Sequence, residues 1–212
     1  MLAGEAISAG WEIEAQFVAP DADPIDAGWT VYGLAPGVSE RVTATETPTG
    51  VFTVVRIRAP DERLLERVSF VVVADGVGDP GNLGTILRSA EAAGVEAVVL
   101  TPGTVDPFNP KVVRASAGAI FHVPVMTATV DDVRAAGLRL IGTSSHRGTT
   151  HTDADWSGRV AIVAGGEAHG VQPDADVDDW VRIEHRGRAE SLNVAMATTV
   201  ICFEAARARA VV

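Results

Sequence analysis

The sequence contains no hydrophobic run long enough to span a membrane. Its longest apolar runs, residues 68–74 and 95–100, have the length of strands, whereas a bilayer-spanning helix needs ~18 or more apolar residues. The N-terminus also lacks a basic segment followed by a long apolar one, so no secretory signal peptide is expected. These absences predict a protein that does not enter the membrane and works in the cytoplasm.

Cysteine is also scarce, with Cys202 as the single one among 212 residues. One cysteine cannot form an internal disulfide, and its apolar surroundings in the sequence indicate a small buried side chain rather than a reactive thiol. The five histidines show no spacing typical of metal ligands. We therefore expect no metal site.

Basic residues are few and unevenly distributed. The chain has 17 Lys and Arg against 28 Asp and Glu, for a net charge of −11, and Lys111 is its one lysine. Residues 1–40 contain seven acids and no Lys or Arg. This charge argues against a general nucleic-acid binder, for which a basic surface is expected, so any RNA contact must depend on local arginines.

The length and a hydrophobic content of 47% allow a small domain followed by one of average size. Residues 1–59 have the pattern of a small α/β unit, and the charged connector 59–67 marks a boundary. From residue 68 onward, apolar strands alternate with helices, which is typical of a mostly parallel sheet with helices on both faces. We predict a small α/β domain at residues 1–66 and a larger α/β domain at 67–212.

Periodicity and turn residues also predict the individual elements. Helices are expected at residues 4–10, 82–93, 111–117, 130–136 and 192–208. Strands are expected at residues 12–18, 30–34, 51–57, 68–75, 95–100, 122–125, 138–143, 159–164 and 180–183.

Three loop segments that follow apolar strands share one chemical character. They are residues 79–88 (DPGNLGTILR), 165–170 (GGEAHG) and 191–195 (SLNVA). The first two combine glycines with polar side chains, and the third places Ser191 and Asn193 at the start of a predicted helix. Glycines at strand ends let the main chain approach a small molecule closely. The segments therefore predict a ligand site at one edge of the sheet.

A dinucleotide-binding fingerprint is a competing interpretation of the first segment, because residues 76–81 satisfy GxGxxG after a strand. Two features argue against it. Asp79 and Pro80 extend the turn before the predicted helix begins. The next strand is followed by Thr101 and Pro102, where an acid that binds a ribose would be required. A nicotinamide-dependent enzyme is therefore disfavoured.

Taken together, the three segments resemble the motifs of the SpoU family of RNA 2′-O-ribose methyltransferases, within the SPOUT class. The resemblance covers roughly residues 68–209. Residues 79–88 match the pattern Asp-Pro-x-Asn-x-Gly-x-x-x-Arg, and residues 165–170 match Gly-x-Glu-x-x-Gly. Residues 191–194 match Ser-Leu-Asn-Val, whereas Glu184 and His185 replace the usual Pro-Met after Ile183.

The resemblance implies a C-terminal trefoil knot, a homodimer and S-adenosylmethionine as methyl donor. It also implies a role for individual residues. The expected catalytic residues are Asn82, Arg88, Glu167, Ser191 and Asn193. Gly165, Ile183 and Leu192 are expected to bind the cofactor through their main chain, and Arg114 is expected to contact RNA. Asn82 and Ser191 are in addition plausible N-caps of the helices that follow them.

Two functional hypotheses follow. The first is an RNA 2′-O-methyltransferase in which Arg88 positions a phosphate and stabilises the developing alkoxide, since an arginine pKa above ~12 makes a general base unsuitable. Because the N-terminal part resembles the ribosomal-protein-like module of rRNA-directed members, ribosomal RNA is favoured over transfer RNA. The second is a non-catalytic RNA- or cofactor-binding protein that retains the fold, which the acidic composition and Glu184-His185 favour.

Overall fold

The computed structural model describes residues 2–26, 28–42, 49–59, 61–166, 170–172 and 175–210. The chain forms two compact units, Met1–Ala59 and Pro60–Val212. The division falls at the start of the connector that composition indicates. The predicted domain boundary after residue 66 stays a prediction.

The first unit is built on a three-stranded sheet. Its elements are α1 (Leu2–Ser8), β1 (Ile13–Val18), β2 (Val31–Gly33), α2 (Val38–Val42) and β3 (Val51–Val55). Strand β1 lies in the centre, parallel to β2 and antiparallel to β3. The fully buried Gln16 on β1 donates to the carbonyl of Ile25 at 2.7 Å and accepts from its amide at 2.9 Å. Because a buried amide needs both partners, these bonds fix the turn that contains Ile25 against the sheet.

The second unit alternates strands with helices. Its elements are α3 (Leu64–Arg67), β4 (Phe70–Asp75), α4 (Pro80–Ala92), β5 (Ala97–Leu100), α5 (Pro110–Ala115), a 3-10 turn (Ala119–Phe121), β6 (Val125–Thr127), α6 (Val130–Ala135), β7 (Arg139–Ser144), β8 (Thr149–Thr150), β9 (Val160–Gly165), β10 (Asp179–Arg182) and α7 (Val194–Arg209). The strands form one sheet in the order β6-β5-β4-β9-β7-β10-β8. Every neighbouring pair in it is parallel. The predicted α/β class is confirmed, and the trefoil knot stays a prediction.

Strand β4 shows why the sheet is covered on both faces. Its alternate side chains belong to two separate cores, with Val72 and Ala74 packing on one face and Val71 and Val73 on the other. Helices α4, α5 and α7 contribute to the first core, and α3 and α6 to the second. A strand buried on both faces has a continuous apolar sequence, which is the signal that the sequence carries here.

Several element bounds differ from the sequence-based expectation. The strand predicted at residues 122–125 is replaced by the 3-10 turn and the later strand β6. The structure also contains α2, α3 and β8, which sequence patterns did not indicate. These elements have five residues or fewer, too few for a periodicity of 2 or 3.6 to show.

Helix α4 is positioned by its cap and by a glycine. Asp79 is the N-cap, and its side chain accepts from the amide of Asn82. Asn82 is therefore not the cap that sequence analysis allowed. Further along, the Gly84 position faces α5, where an added Cβ would overlap with the Ala115 side chain and lie 2.9 Å from the Val112 carbonyl oxygen. The glycine in the Asn-x-Gly motif therefore permits the close packing of α4 on α5.

Cys202 lies in α7 and is fully buried, as its sequence context predicts. Burial raises the pKa of its thiol to about 12, so the reactive thiolate is strongly disfavoured at neutral pH. Within the described ranges, no helix combines the length and the apolar character needed to cross a membrane.

We expect Gly84→Ala to destabilise the protein by about 1–3 kcal/mol, because overpacking forces two helices apart. Urea unfolding followed by circular dichroism measures this difference. Gly187→Ala is the matched control, since an added Cβ there meets no atom within 4 Å. Equal stability of the two variants would contradict the packing role of Gly84.

Candidate active site

The loops that follow β4 and β9 meet at the carboxyl edge of the sheet. The two strands are neighbours, and Asp75 at the end of one pairs with Gly165 at the end of the other. A Cβ on Gly166 would overlap with the carbonyl oxygen of Gly76, and a Cβ on Gly165 would overlap with the main chain of Gly170. These glycines are therefore required by backbone packing, whatever ligand the loops bind.

A cavity of about 650 Å³ opens beside these loops, within the range of cavities that hold small molecules. Three segments form its walls: residues 143–147 at the end of β7 and just beyond it, the glycine turn at the end of β9, and the loop that leads from β10 into α7. Five of its lining residues are ones that the sequence predicts for the site, namely Gly165, Ile183, Ser191, Leu192 and Asn193. Glu167 lies outside the described residues.

Asn193 joins the cavity to helix α4. Its Oδ1 accepts from the amides of Ala195 and Met196 at 2.9 and 3.3 Å, so Asn193 is the N-cap of α7. Its Nδ2 donates to Oδ1 of Asn82 at 2.9 Å. The expectation that Ser191 caps this helix is therefore wrong. Two predicted site residues that are 111 positions apart are in direct contact.

A comparison of the sequence with known families agrees with the strand order, the cavity and the asparagine pair. The chain matches the SpoU rRNA Methylase family over residues 69–203. The chain belongs to this family. The predicted family is thus confirmed.

Individual relatives match this chain over different shares of its length. The 23S rRNA (guanosine(2553)-2′-O)-methyltransferase RlmP of Bacillus subtilis is 36% identical over 187 residues, covering 84% of this chain and 73% of RlmP. The 23S rRNA (guanosine-2′-O-)-methyltransferase RlmB of Xanthomonas axonopodis pv. citri is 40% identical over 148 residues, covering 66% of this chain and 59% of RlmB. This chain therefore spans less than two thirds of the latter relative.

Among solved structures, an AdoMet-bound rRNA methyltransferase from Sinorhizobium meliloti is similar to this chain with a TM-score of 0.82. Its sequence identity is 32%, and the alignment covers 98% of this chain and 84% of that protein.

Two predicted arginines of this SpoU-family chain lie outside the cavity. Arg88 is exposed on the outer face of α4, in line with Gly81 and Thr85, and it is not among the residues that line the cavity. Arg114 is exposed on α5 and does not line it either. Within one copy of the chain, the cavity is therefore lined by Ser191 and Asn193 but by neither Arg88 nor Arg114.

Of the cavity-lining residues that the sequence does not predict for the site, four carry a guanidinium, an imidazole or an indole: His146, Arg147, Trp180 and His185. The Arg147 guanidinium lies over the Trp180 ring, with its central carbon 3.4 Å from the ring centroid. Neither residue belongs to one of the three motifs. The one signal in the sequence is position, because residues 145–148 follow strand β7 and such loops border ligand sites in parallel sheets.

The described cavity walls have a distinct electrostatic character. They contain Arg147 and two imidazoles, and no aspartate or glutamate is among the described residues that line the cavity. This local absence of acids contrasts with the net charge of −11 for the whole chain. Across the described ranges, no group of three or more His, Cys, Asp or Glu side chains is arranged to hold a metal ion. The expected independence from metals stays a prediction.

We expect Asn193→Ala to lower the free energy of unfolding by about 1 kcal/mol, because α7 loses its N-cap. Asn193→Ser retains a capping oxygen, so it is expected to keep most of the stability while losing the amide that contacts Asn82. Urea denaturation of both variants measures the difference. If alanine and serine are equally stable, the capping role of Asn193 is refuted.

Proposed function

We propose that this chain transfers a methyl group from S-adenosylmethionine to a ribose 2′-hydroxyl in RNA, and that ribosomal RNA is its target. The observation that carries the proposal is the cavity itself, where motif residues from distant parts of the chain meet beside the Asn82–Asn193 hydrogen bond. Such a substrate places the protein with ribosomes in the cytoplasm.

The residues present fit the proposed cofactor. The cavity volume of about 650 Å³ is sufficient for a nucleoside with an amino-acid tail. Gly165, Gly166 and Gly170 line its wall, and a glycine wall lets a ligand approach the main chain closely. We propose that the adenine and ribose of the cofactor bind against this wall. Ile183 and Leu192 line the same cavity and complete the cofactor contacts that we propose.

The family and its relatives confirm the predicted enzyme class and methyl donor. The relatives are named as 23S rRNA guanosine 2′-O-methyltransferases, and the solved structure from S. meliloti contains AdoMet. The two named relatives act on ribosomal RNA, which supports the same class of substrate here.

The chemistry requires alignment more than activation of the donor. The bound sulfonium supplies an electrophilic methyl carbon and a good leaving group. The protein must hold the attacking 2′ oxygen in line with that carbon, and such positioning contributes up to about 7–11 kcal/mol in ideal cases. We propose that Asn82, Asn193 and Ser191 orient the ribose. The hydrogen bond between the asparagines fixes one amide relative to the other.

Arg88 is proposed to bind the adjacent phosphate of the RNA. A guanidinium offers two parallel N–H groups to a phosphate and remains charged at all physiological pH values. It therefore stabilises negative charge that develops on the 2′ oxygen, while the proton leaves to phosphate or water. Glu167 and Arg114 are proposed to complete the site, as a catalytic-loop residue and an RNA contact respectively.

A homodimer would explain why Arg88 lies outside the cavity of a single chain. Helix α7 exposes an apolar stripe formed by Met196, Val200 and Phe203, with Met196 62% and Phe203 49% exposed. Beside this stripe, the hydroxyl of Thr199 lies 2.6 Å from that of Ser89, the chain neighbour of Arg88. A second copy that covers the stripe by two-fold symmetry would also approach the face of α4 that carries Arg88. We propose that the active site is completed in this dimer.

The second candidate function is cofactor or RNA binding without methyl transfer. The observation that favours it is His185, which lines the cavity where the family has a methionine. Binding of S-adenosylmethionine without methyl transfer to any ribosomal RNA would support this function over the first.

With tritiated S-adenosylmethionine and unmodified ribosomal RNA, we expect incorporation of label at a ribose 2′ oxygen, identified by resistance of the adjacent linkage to alkali. Arg88→Ala is expected to reduce the single-turnover rate about 100-fold or more, as is typical when a charge-stabilising donor is removed. Arg63→Ala is the matched control, because Arg63 lies exposed beside α3 and pairs with Glu66 at 2.8 Å. Near-normal chemistry in Arg88→Lys would count against the bidentate role.

In solution we expect a mass of twice the 22.1 kDa chain, measured by light scattering after gel filtration. Phe203→Glu introduces a charge into the apolar stripe and is expected to give monomers without methyltransferase activity. Val54→Glu is the control, because Val54 is a similarly exposed apolar residue, at 42%, in the N-terminal unit. A fully active monomer would exclude the proposed dimeric site.

A further inference from the structure

The basic side chains of this chain divide into two groups. Most of them already have a partner, as Arg134 does in its ion pair with Asp178 at 2.9 Å and Arg159 does in its hydrogen bonds to main-chain carbonyls. The others are exposed, and within the part of the chain that the structure describes their charged groups form neither an ion pair nor a hydrogen bond. They are Arg41, Arg88, Lys111, Arg114, Arg186 and Arg188.

An unpaired cation is a better ligand for a phosphate than a paired one. A guanidinium in an ion pair already donates to its carboxylate, and a phosphate would have to displace that partner. Arg41 belongs to the first unit and follows forty residues that contain seven acids and no Lys or Arg. The other unpaired cations belong to the larger unit. We call them the cationic surface, which consists of Arg88, Lys111, Arg114, Arg186 and Arg188.

Three members of the cationic surface flank the contact between α4 and α5. This contact lies at Gly84 and Ala115, where an added Cβ would overlap with the alanine side chain. Arg88 is one helical turn beyond Gly84, and Lys111 is one turn before Ala115, so each shares a helix face with a contact residue. Arg114 is the chain neighbour of Ala115. The two helices therefore present their cations around one line of contact.

The other two members, Arg186 and Arg188, lie in the loop that leads from β10 to α7. This loop ends at Asn193, whose amide donates to Asn82 on α4. An extended chain from Arg188 to Asn193 spans at most about 17 Å. On the other helix, Arg88 lies about 9 Å along the axis from Asn82. Both parts of the cationic surface are therefore within reach of the asparagine pair.

Acids in the same segments do not pair with these cations. Glu91 on α4 and Glu184 and Glu190 in the loop are exposed, and in the described part of the chain none of them forms an ion pair with a member of the cationic surface. At an ionic strength of about 0.15 M, exposed charges more than about 8 Å away are largely screened. Acids elsewhere on the chain therefore act weakly here, although they dominate the net charge of −11.

Building on the proposed function, we infer that the cationic surface binds the phosphates of the RNA, and that Lys111, Arg186 and Arg188 are RNA contacts in addition to Arg88 and Arg114. These three residues hold the RNA backbone and do not contact the reacting atoms. Each contact with a phosphate releases a counterion, so the affinity for RNA depends on salt in proportion to the number of contacts. The unpaired cations, and not the net charge, set this number.

Filter binding of unmodified ribosomal RNA transcribed in vitro, measured between about 50 and 200 mM KCl, tests the inference. For the wild-type protein, the logarithm of the binding constant is expected to fall with the logarithm of salt concentration with a slope of about −3.5 to −4.5. Lys111→Gln, Arg186→Gln and Arg188→Gln are each expected to make the slope shallower by about 0.7–0.9. At about 0.1 M salt, each is expected to weaken binding about 5-fold, and the triple variant about 100-fold.

Arg63→Gln is the matched control, because Arg63 is exposed but paired with Glu66 at 2.8 Å. It removes the same charge from the chain and is expected to keep the wild-type slope. The triple variant is expected to raise the KM for RNA while retaining kcat and the affinity for S-adenosylmethionine, measured by calorimetry. Thermal unfolding verifies the fold of each variant, and the single variants carry the test if the triple variant does not fold.

The outcomes separate this inference from the proposed function. If the wild-type protein methylates ribosomal RNA and the triple variant keeps the wild-type slope, the inference is wrong while the function stands. An equal change of slope in Arg63→Gln would show that net charge governs binding, and it also overturns the inference. Binding of polyglutamate with the affinity and slope found for RNA would instead make the cationic surface a site for acidic polypeptides. Absence of methyl transfer by the wild-type protein would reject the proposed function itself.

Discussion

The close approach of main chain to main chain at the carboxyl edge of the sheet is the constraint on which the site depends. Strands β4 and β9 end side by side, with Asp75 paired to Gly165. In the turns that follow, Gly166 lies so close to Gly76 that an added Cβ would be 2.4 Å from the Gly76 carbonyl oxygen. Parallel strands bring such turns together at the carboxyl edge of an α/β sheet. Any residue other than glycine at position 165 or 166 would separate these turns and change the cavity wall that they form.

Much of the larger unit could be predicted from the sequence because its central strands are buried on both faces. A strand such as β9 is continuously apolar, and the glycines after it mark the point where it ends. The choice between neighbouring capping residues could not be predicted in this way. Ser191 and Asn193 are both residue types that cap helices, and they lie only two positions apart. The same holds for Asp79 and Asn82, which lie three positions apart. In each pair, the backbone dihedral angles decide which residue is the N-cap.

The contact between Arg147 and Trp180 shows a second limit of sequence reasoning. It depends on β10 being inserted between β7 and β8, out of chain order. Periodicity reports which residues are buried but not which strands are neighbours. The sequence also does not indicate which arginines have a structural role. Arg159 donates to the carbonyl groups of Val68 and Ala136, so part of the positive charge counted in the sequence serves to hold loops rather than to meet RNA.

The buried thiol of Cys202 has a practical consequence. With its pKa raised to about 12 and its sulfur enclosed by the core, the native side chain is inert toward maleimides and other thiol reagents at neutral pH. A single cysteine introduced at an exposed position, such as Thr85 on the outer face of α4, therefore accepts a fluorophore or spin label selectively. The native cysteine stays in place, and spectroscopy of the labelled protein then reports on that face of α4 without background signal.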